Sequence, residues 1–264
     1  MRLFTSSTAG SLLLLTLTTV GCGSREAAAP AAPAAATGGS QVDAATAADI
    51  TGTVTVTGAL PANASIAMAG DPVCYRQAGA GQTMETYVVG PSGTTLGNVF
   101  VYVKDGLSGY TFPAPTTPAR IDQQGCRYHP HVFGMQVGQP LEIVNSDPTL
   151  HNIHAIAKNN REFNQGQPIQ GMKQTHTFTA PEVMIPFKCD VHGWMNAYVG
   201  VLPHPFFAVT DASGAFSLKG LPPGTYTIEA WHEKLGTSSQ TVTLGAKDAK
   251  AITFTFAAPA TATN

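Results

Sequence analysis

The chain has 264 residues, enough for one large domain or two ordinary ones, each able to bury a core. Its formal charge is −2, with 11% charged residues and no long basic run, so it lacks the electrostatic footprint of a nucleic-acid binder and no nucleic-acid partner is expected. With 27 glycines and 19 prolines in so weakly charged a sequence, turn-rich all-β architecture fits better than a helical bundle.

In chain order, residues 1–21 have the pattern of an export signal. Arg2 supplies the positive start, and 11–17 form an apolar core too short for a membrane span, which needs about 20 apolar residues. The run Thr19-Val20-Gly21-Cys22-Gly23-Ser24 resembles a bacterial lipobox, although Thr19 stands where leucine is more usual. That resemblance implies lipid on Cys22 and attachment to a bacterial membrane at its periplasmic or cell-surface face. The absence of Asp after Cys22 favours the outer membrane, and ordinary signal cleavage is the alternative. Residues 22–48 are rich in Ala and Pro and hold too few large apolar side chains to offset ordering entropy, so a flexible tether is expected there. Residues 257–264 read as a frayed tail.

Between these ends the apolar residues recur with period two, as half-buried strands require. Residues 50–57 alternate, and 99–103 place Val99, Val101 and Val103 on one face with Phe100 and Tyr102 on the other. Further strands are expected at 139–144, 175–178, 197–201, 216–218, 226–230 and 252–256, punctuated by Asp147-Pro148, Ser213-Gly214 and Pro222-Pro223-Gly224. No stretch has strong helical periodicity.

The residues richest in chemistry are Cys189, His192 and Met195 on one short run, with His151 upstream after an Asn-Ser-Asp turn. One thiolate, two imidazoles and a thioether suit copper, because soft sulfur favours Cu(I) while imidazole serves both oxidation states. Cys189 and His192 are three apart, so a strand must end near Cys189 and a loop must present His192 and Met195, while His151 comes from a separate strand end. Zinc could use Cys189, His151 and His192, but methionine is a poor zinc ligand and no fourth strong donor is evident. His154 lies three residues from His151 and so points to the opposite face. His129, His131 and His232 follow no spacing rule that suggests a second metal. With Cys22 assigned to lipid and Cys189 to metal, Cys74 and Cys126 remain. A disulfide is the economical pairing in an exported protein, and two separate buried thiols are the alternative.

The segment from about 122 to 203 resembles a cupredoxin, and the separation of Cys189, His192 and Met195 by two residues each looks most like the amicyanin branch. The resemblance implies a Greek-key β-sandwich and copper held by His151, Cys189, His192 and Met195. It also implies that Asn152 hydrogen-bonds across to the ligand loop and that a redox partner protein docks near His192 and Trp194. Residues 209–218 and 221–228 resemble the carboxypeptidase regulatory-like (transthyretin-like) β-sandwich, whose opening strands would be 50–54 and 98–103. The expected organisation is therefore all-β: signal 1–21, tether 22–48, first part of the regulatory-like sandwich 49–112, cupredoxin domain 113–203, second part 204–256, and tail 257–264. The expected function is that of a membrane-anchored one-electron carrier, not an enzyme, with no catalytic residues. The alternatives are a non-redox binding or assembly module of the cell envelope, in which the copper domain is structural or stores copper, and a copper enzyme, which would need a second metal centre.

Overall fold

In a computed structural model, the described residues are 39–260, so Cys22, the expected signal and most of the expected tether lie outside them. The period-two runs form strands β1 (Ala48–Thr57), β2 (Phe100–Asp105), β3 (Ala119–Gln124), β4 (Arg127–His129), β5 (Val132–Gln136), β6 (Pro140–Asn145), β7 (His151–Ala155) and β8 (Phe163–Gln167). They continue as β9 (Lys173–Thr177), β10 (Glu182–Lys188), β11 (Asn196–Leu202), β12 (Phe207–Val209), β13 (Ala215–Leu221), β14 (Gly224–His232), β15 (Gly236–Leu244) and β16 (Ala249–Ala257). Among the described residues, no helix is long and apolar enough to cross a membrane.

The strands make two sandwiches. One pairs the sheet β13-β1-β16 with the sheet β12-β2-β14-β15, drawing its strands from two separated stretches of chain. Its core holds Ile50, Val54, Val99, Val101, Val103, Leu218, Ile228 and Phe254. The other pairs β5-β11-β10-β7-β8 with β4-β3-β6-β9, all from the stretch between β2 and β12. Its core includes Ile121, Leu141, Ile143, Ile153, Phe187, Val199, Cys189 and Met195.

The alternation along β2 explains how the two sandwiches meet. Val99, Val101 and Val103 face the first core, while Phe100 and Tyr102 join Val132, Met184 and Leu202 in a third buried cluster that bridges the sandwiches. Gly134 and Gly200 are register partners on β5 and β11 and leave the flat surface against which these rings lie. A Cβ on Gly200 would stand 2.4 Å from Phe100 Cζ, and one on Gly134 2.4 Å from the Phe207 ring. Gly200→Ala is expected to lower unfolding free energy by roughly 1–3 kcal/mol through overpacking. Chemical denaturation checks this, and an unchanged midpoint would show that the rings yield.

Three parts of the fold depart from expectation. A short helix, α1 (Pro72–Ala78), follows Asp71, whose carboxylate accepts the Val73 and Cys74 amides, with proline at the first helical position. At 7 residues it is too short to show a helical period. Its residue Cys74, together with Met68, packs into the core of the second sandwich, so this part of 49–112 serves the neighbouring body. The end of the expected tether is laid down in place: Ser40 bridges Tyr110, and Ala48 is buried.

Candidate metal centre

His151 opens β7, held by the turn before it. The Asp147 amide donates to Asn145 Oδ1 at 3.0 Å, and Asn145 Nδ2 donates to the Thr149 carbonyl at 2.9 Å. Cys189 follows the last residue of β10, and the loop beyond it folds back on itself. The Met195 amide donates to the His192 carbonyl at 2.9 Å, the Cys189 amide to the Met195 carbonyl at 3.1 Å, and the His192 amide to Cys189 Sγ at 3.4 Å. Met195 is buried in the same core as Cys189.

These elements bring His151, Cys189 and His192 together, with one donor atom from each lying within 4.8 Å of the others. The two Nδ1 atoms are 3.0 Å apart, and Cys189 Sγ is 3.8 Å from His192 Nδ1. His151 is fully buried and His192 is 2% exposed. Asn152 spans to the ligand loop: its Oδ1 accepts the Asp190 amide at 2.7 Å and lies 3.3 Å from Cys189 Sγ. His154 points away from the site and pairs with Glu162 at 2.7 Å and Asp190 at 3.0 Å. Cys74 and Cys126 are joined by a disulfide.

Two carboxylates not singled out from the sequence complete the site. Asp147 Oδ2 accepts from His151 Nε2 at 2.9 Å, and Asp71 Oδ2 accepts from His192 Nε2 at 3.0 Å. Their only sequence signals are local: Asp71 precedes a helix-starting proline, and Asp147 stands four residues before His151. The carboxylates decide the tautomers, because each Nε2 must carry its proton to donate it, leaving both Nδ1 atoms as lone-pair acceptors. Two imidazole lone pairs and one sulfur then face a common point with no donor of their own.

The charges follow the same logic. Burial alone would raise the Cys189 thiol, but the adjoining His151 and His192 rings and nearby backbone amides bring it down to about 6. Burial would lower His151, but Asp147 and Cys189 outweigh it and hold His151 above the ordinary histidine range. For His192, burial is likewise outweighed by Cys189 and Asp71. A thiolate and two imidazoles with free Nδ1 lone pairs are a donor set suited to copper. The other two clusters of metal-ligand type among the described residues share His192 or His151 and include a disulfide cysteine.

His192 does not present an open edge to solvent. Asp71 and Cys74 Sγ, the latter 3.6 Å from Nε2, cover it. The neighbouring Trp194 ring is 5.1 Å from the His192 ring, and its Nε1 donates to the Cys126 carbonyl at 3.0 Å. Exposed surface beside the loop comes instead from Val191.

Residues 196–257 match the model of the Carboxypeptidase regulatory-like domain, about a quarter of the chain. The match begins in β11, which pairs with β5 and β10 in the second sandwich. No curated protein matches the chain. Among solved structures, a copper-containing nitrite reductase from Thermus scotoductus SA-01 is 22% identical, with 36% of this chain and 24% of that chain covered and a TM-score of 0.31. A purple cupredoxin from Nitrosopumilus maritimus is 24% identical, covering 31% of this chain and 98% of its own, with a TM-score of 0.28. A methionine-to-alanine mutant of amicyanin in the Cu(I) form is 21% identical, covering 32% and 81%, with a TM-score of 0.29. The chain thus spans about a quarter of the nitrite reductase's own length. It is an all-β protein that carries a carboxypeptidase regulatory-like domain, and the solved structures similar to it include cupredoxins.

Proposed function

We propose that this chain is a copper protein that carries single electrons, exported and held at a membrane face by lipid on Cys22. One observation carries the copper assignment: the Nδ1 atoms of His151 and His192 converge with Cys189 Sγ while both Nε2–H groups are committed to carboxylates. His151, Cys189 and His192 would hold the ion, with Met195 as a further, weak donor from the same loop. Copper bound there would supply one-electron exchange between Cu(II) and Cu(I). The chain's own residues keep the donors in place for both states. Asn152 ties the Cys189 turn to β7, and burial of all four ligand residues excludes water. An electron partner docks on the rim of the ligand loop at Val191 and Trp194, since the His192 imidazole is covered.

Loading the purified protein with Cu(II) tests this. One copper per chain, an intense visible thiolate-to-copper band and reversible reductive titration are expected. A colourless protein after loading would overturn the copper assignment. The covered edge of His192 favours a second reading, in which the site stores copper or stiffens a binding module. A coloured site that cannot be cycled reversibly would select it.

A further inference from the structure

The disulfide occupies a position for which the copper assignment gives no reason. Asp71 Oδ1 accepts the Val73 and Cys74 amides at 2.8 and 2.9 Å, while its Oδ2 accepts from His192. Asp147 does the same on the other side, accepting the Gly125 and Cys126 amides at 2.9 and 2.7 Å and the His151 Nε2–H. Each carboxylate is therefore fastened to the backbone at one half of the disulfide and to one imidazole. The Cys74–Cys126 bond joins the two assemblies across 52 residues of sequence. Trp194 adds a third fastening through the Cys126 carbonyl.

We propose that Cys74–Cys126, Asp71 and Asp147 form a clamp behind the two histidines, in which the carboxylates are positioning residues and the disulfide locks them together so that bound copper is released slowly. The proposal rests on the copper reading above. An imidazole whose Nε2–H is held by a carboxylate keeps its tautomer and orientation and is a stronger donor through Nδ1. Both effects act on a metal at Nδ1, and a stronger donor stabilises Cu(II) more than Cu(I). A ring fixed at Nε2 also cannot swing aside to let the ion leave. Breaking the disulfide would remove the covalent tie between α1 and Cys126, leaving only non-covalent contacts to hold Asp71 against His192.

The test compares the copper-loaded full chain with Asp71→Asn, Asp147→Asn and a Cys74→Ser, Cys126→Ser double variant. Transfer of copper to a small-molecule chelator, the reduction potential and the visible spectrum are followed in each. The expected result is about 10–100-fold weaker copper retention in each carboxylate variant, with the colour kept and the potential raised. Copper loss should also be at least about tenfold faster in the disulfide variant. Wild-type retention and potential in both carboxylate variants would overturn the clamp, and these two decide the matter if the double variant does not fold. NMR of the metal-free protein separates this from the copper reading. Slowly exchanging Nε2–H signals from both rings, with the His192 signal lost in Asp71→Asn, support the clamp even if wild-type protein takes up no copper. Absence of those signals in wild-type protein overturns it.

Discussion

Cys189→Ala is expected to abolish the visible band outright and to lower copper affinity by several orders of magnitude. Sulfur is the one soft donor of the three converging atoms, and the charge-transfer transition requires it. The loss is not a folding effect. Alanine fits the space of a side chain that is 2% exposed, and it keeps the two backbone hydrogen bonds that close the loop between Cys189 and Met195, losing only the His192 amide bond to Sγ. With the sulfur gone, the two Nδ1 atoms still face each other at 3.0 Å. The metal-free variant must protonate one of the rings or let them part. Copper titration followed by absorbance and electron-spin resonance checks the prediction. A variant that stays coloured would show that the thiolate ligand lies elsewhere.

Acidification is expected to cost the largest share of stability, through two histidines outside the metal centre. His204 is buried, donates from Nε2 to the Val103 carbonyl at 2.9 Å and accepts the Phe206 amide on Nδ1, so both nitrogens are committed with the ring neutral. Burial pushes it down to about 4. His232 accepts the Lys234 and Leu235 amides on Nδ1, and burial pushes it, too, down to about 4. Both lie below the ordinary value of 6.5, so as pH falls the unfolded chain takes up the protons first. Their contribution is complete above about pH 6.5 and is lost progressively towards pH 4, at about 1.4 kcal/mol per pH unit for each ring. Over that window the loss reaches several kcal/mol, comparable with the whole stability of a domain at about 5–15 kcal/mol. His151 and His192, raised in the metal-free chain, act in the opposite sense. A variant therefore isolates the effect: His204→Gln should be less stable at pH 8 but show a flatter dependence between pH 6.5 and 4. Parallel curves for wild type and variant would refute it.

The Gly200→Ala effect and these two histidines share a cause, the close fit around the strands of the regulatory-like sandwich. His204 contacts the strand whose other face carries Phe100 and Tyr102 into the bridging cluster. The alternation along 99–103 was visible as a pattern of two apolar faces. That the second face meets another sandwich was not, because an isolated strand does not reveal what covers it. The strands β7 and β10 were expected only as strand ends beside His151 and Cys189, not from an apolar period, for a related reason. His151 and Asn152 in β7 and Pro186 in β10 break the apolar alternation that marks a strand, and their pairing comes from neighbours distant in sequence.

The amino-acid sequence by itself determined the all-β class and the donor types, because strand period and ligand chemistry are properties of side chains and their spacing. It also confined Cys189, His192 and Met195 to one loop, since three ligands within seven residues leave the backbone little choice. Only the tertiary structure decided which nitrogen of each histidine is free and that His192 is covered. Those outcomes depend on Asp71, 121 residues from His192, and on a disulfide that brings its segment against the ligand loop. Asp147 is near His151 in sequence, yet its role too required the turn to close and the Cys126 backbone to arrive from another strand end. Contacts of that range are set by how whole sheets pack, and no local pattern encodes them.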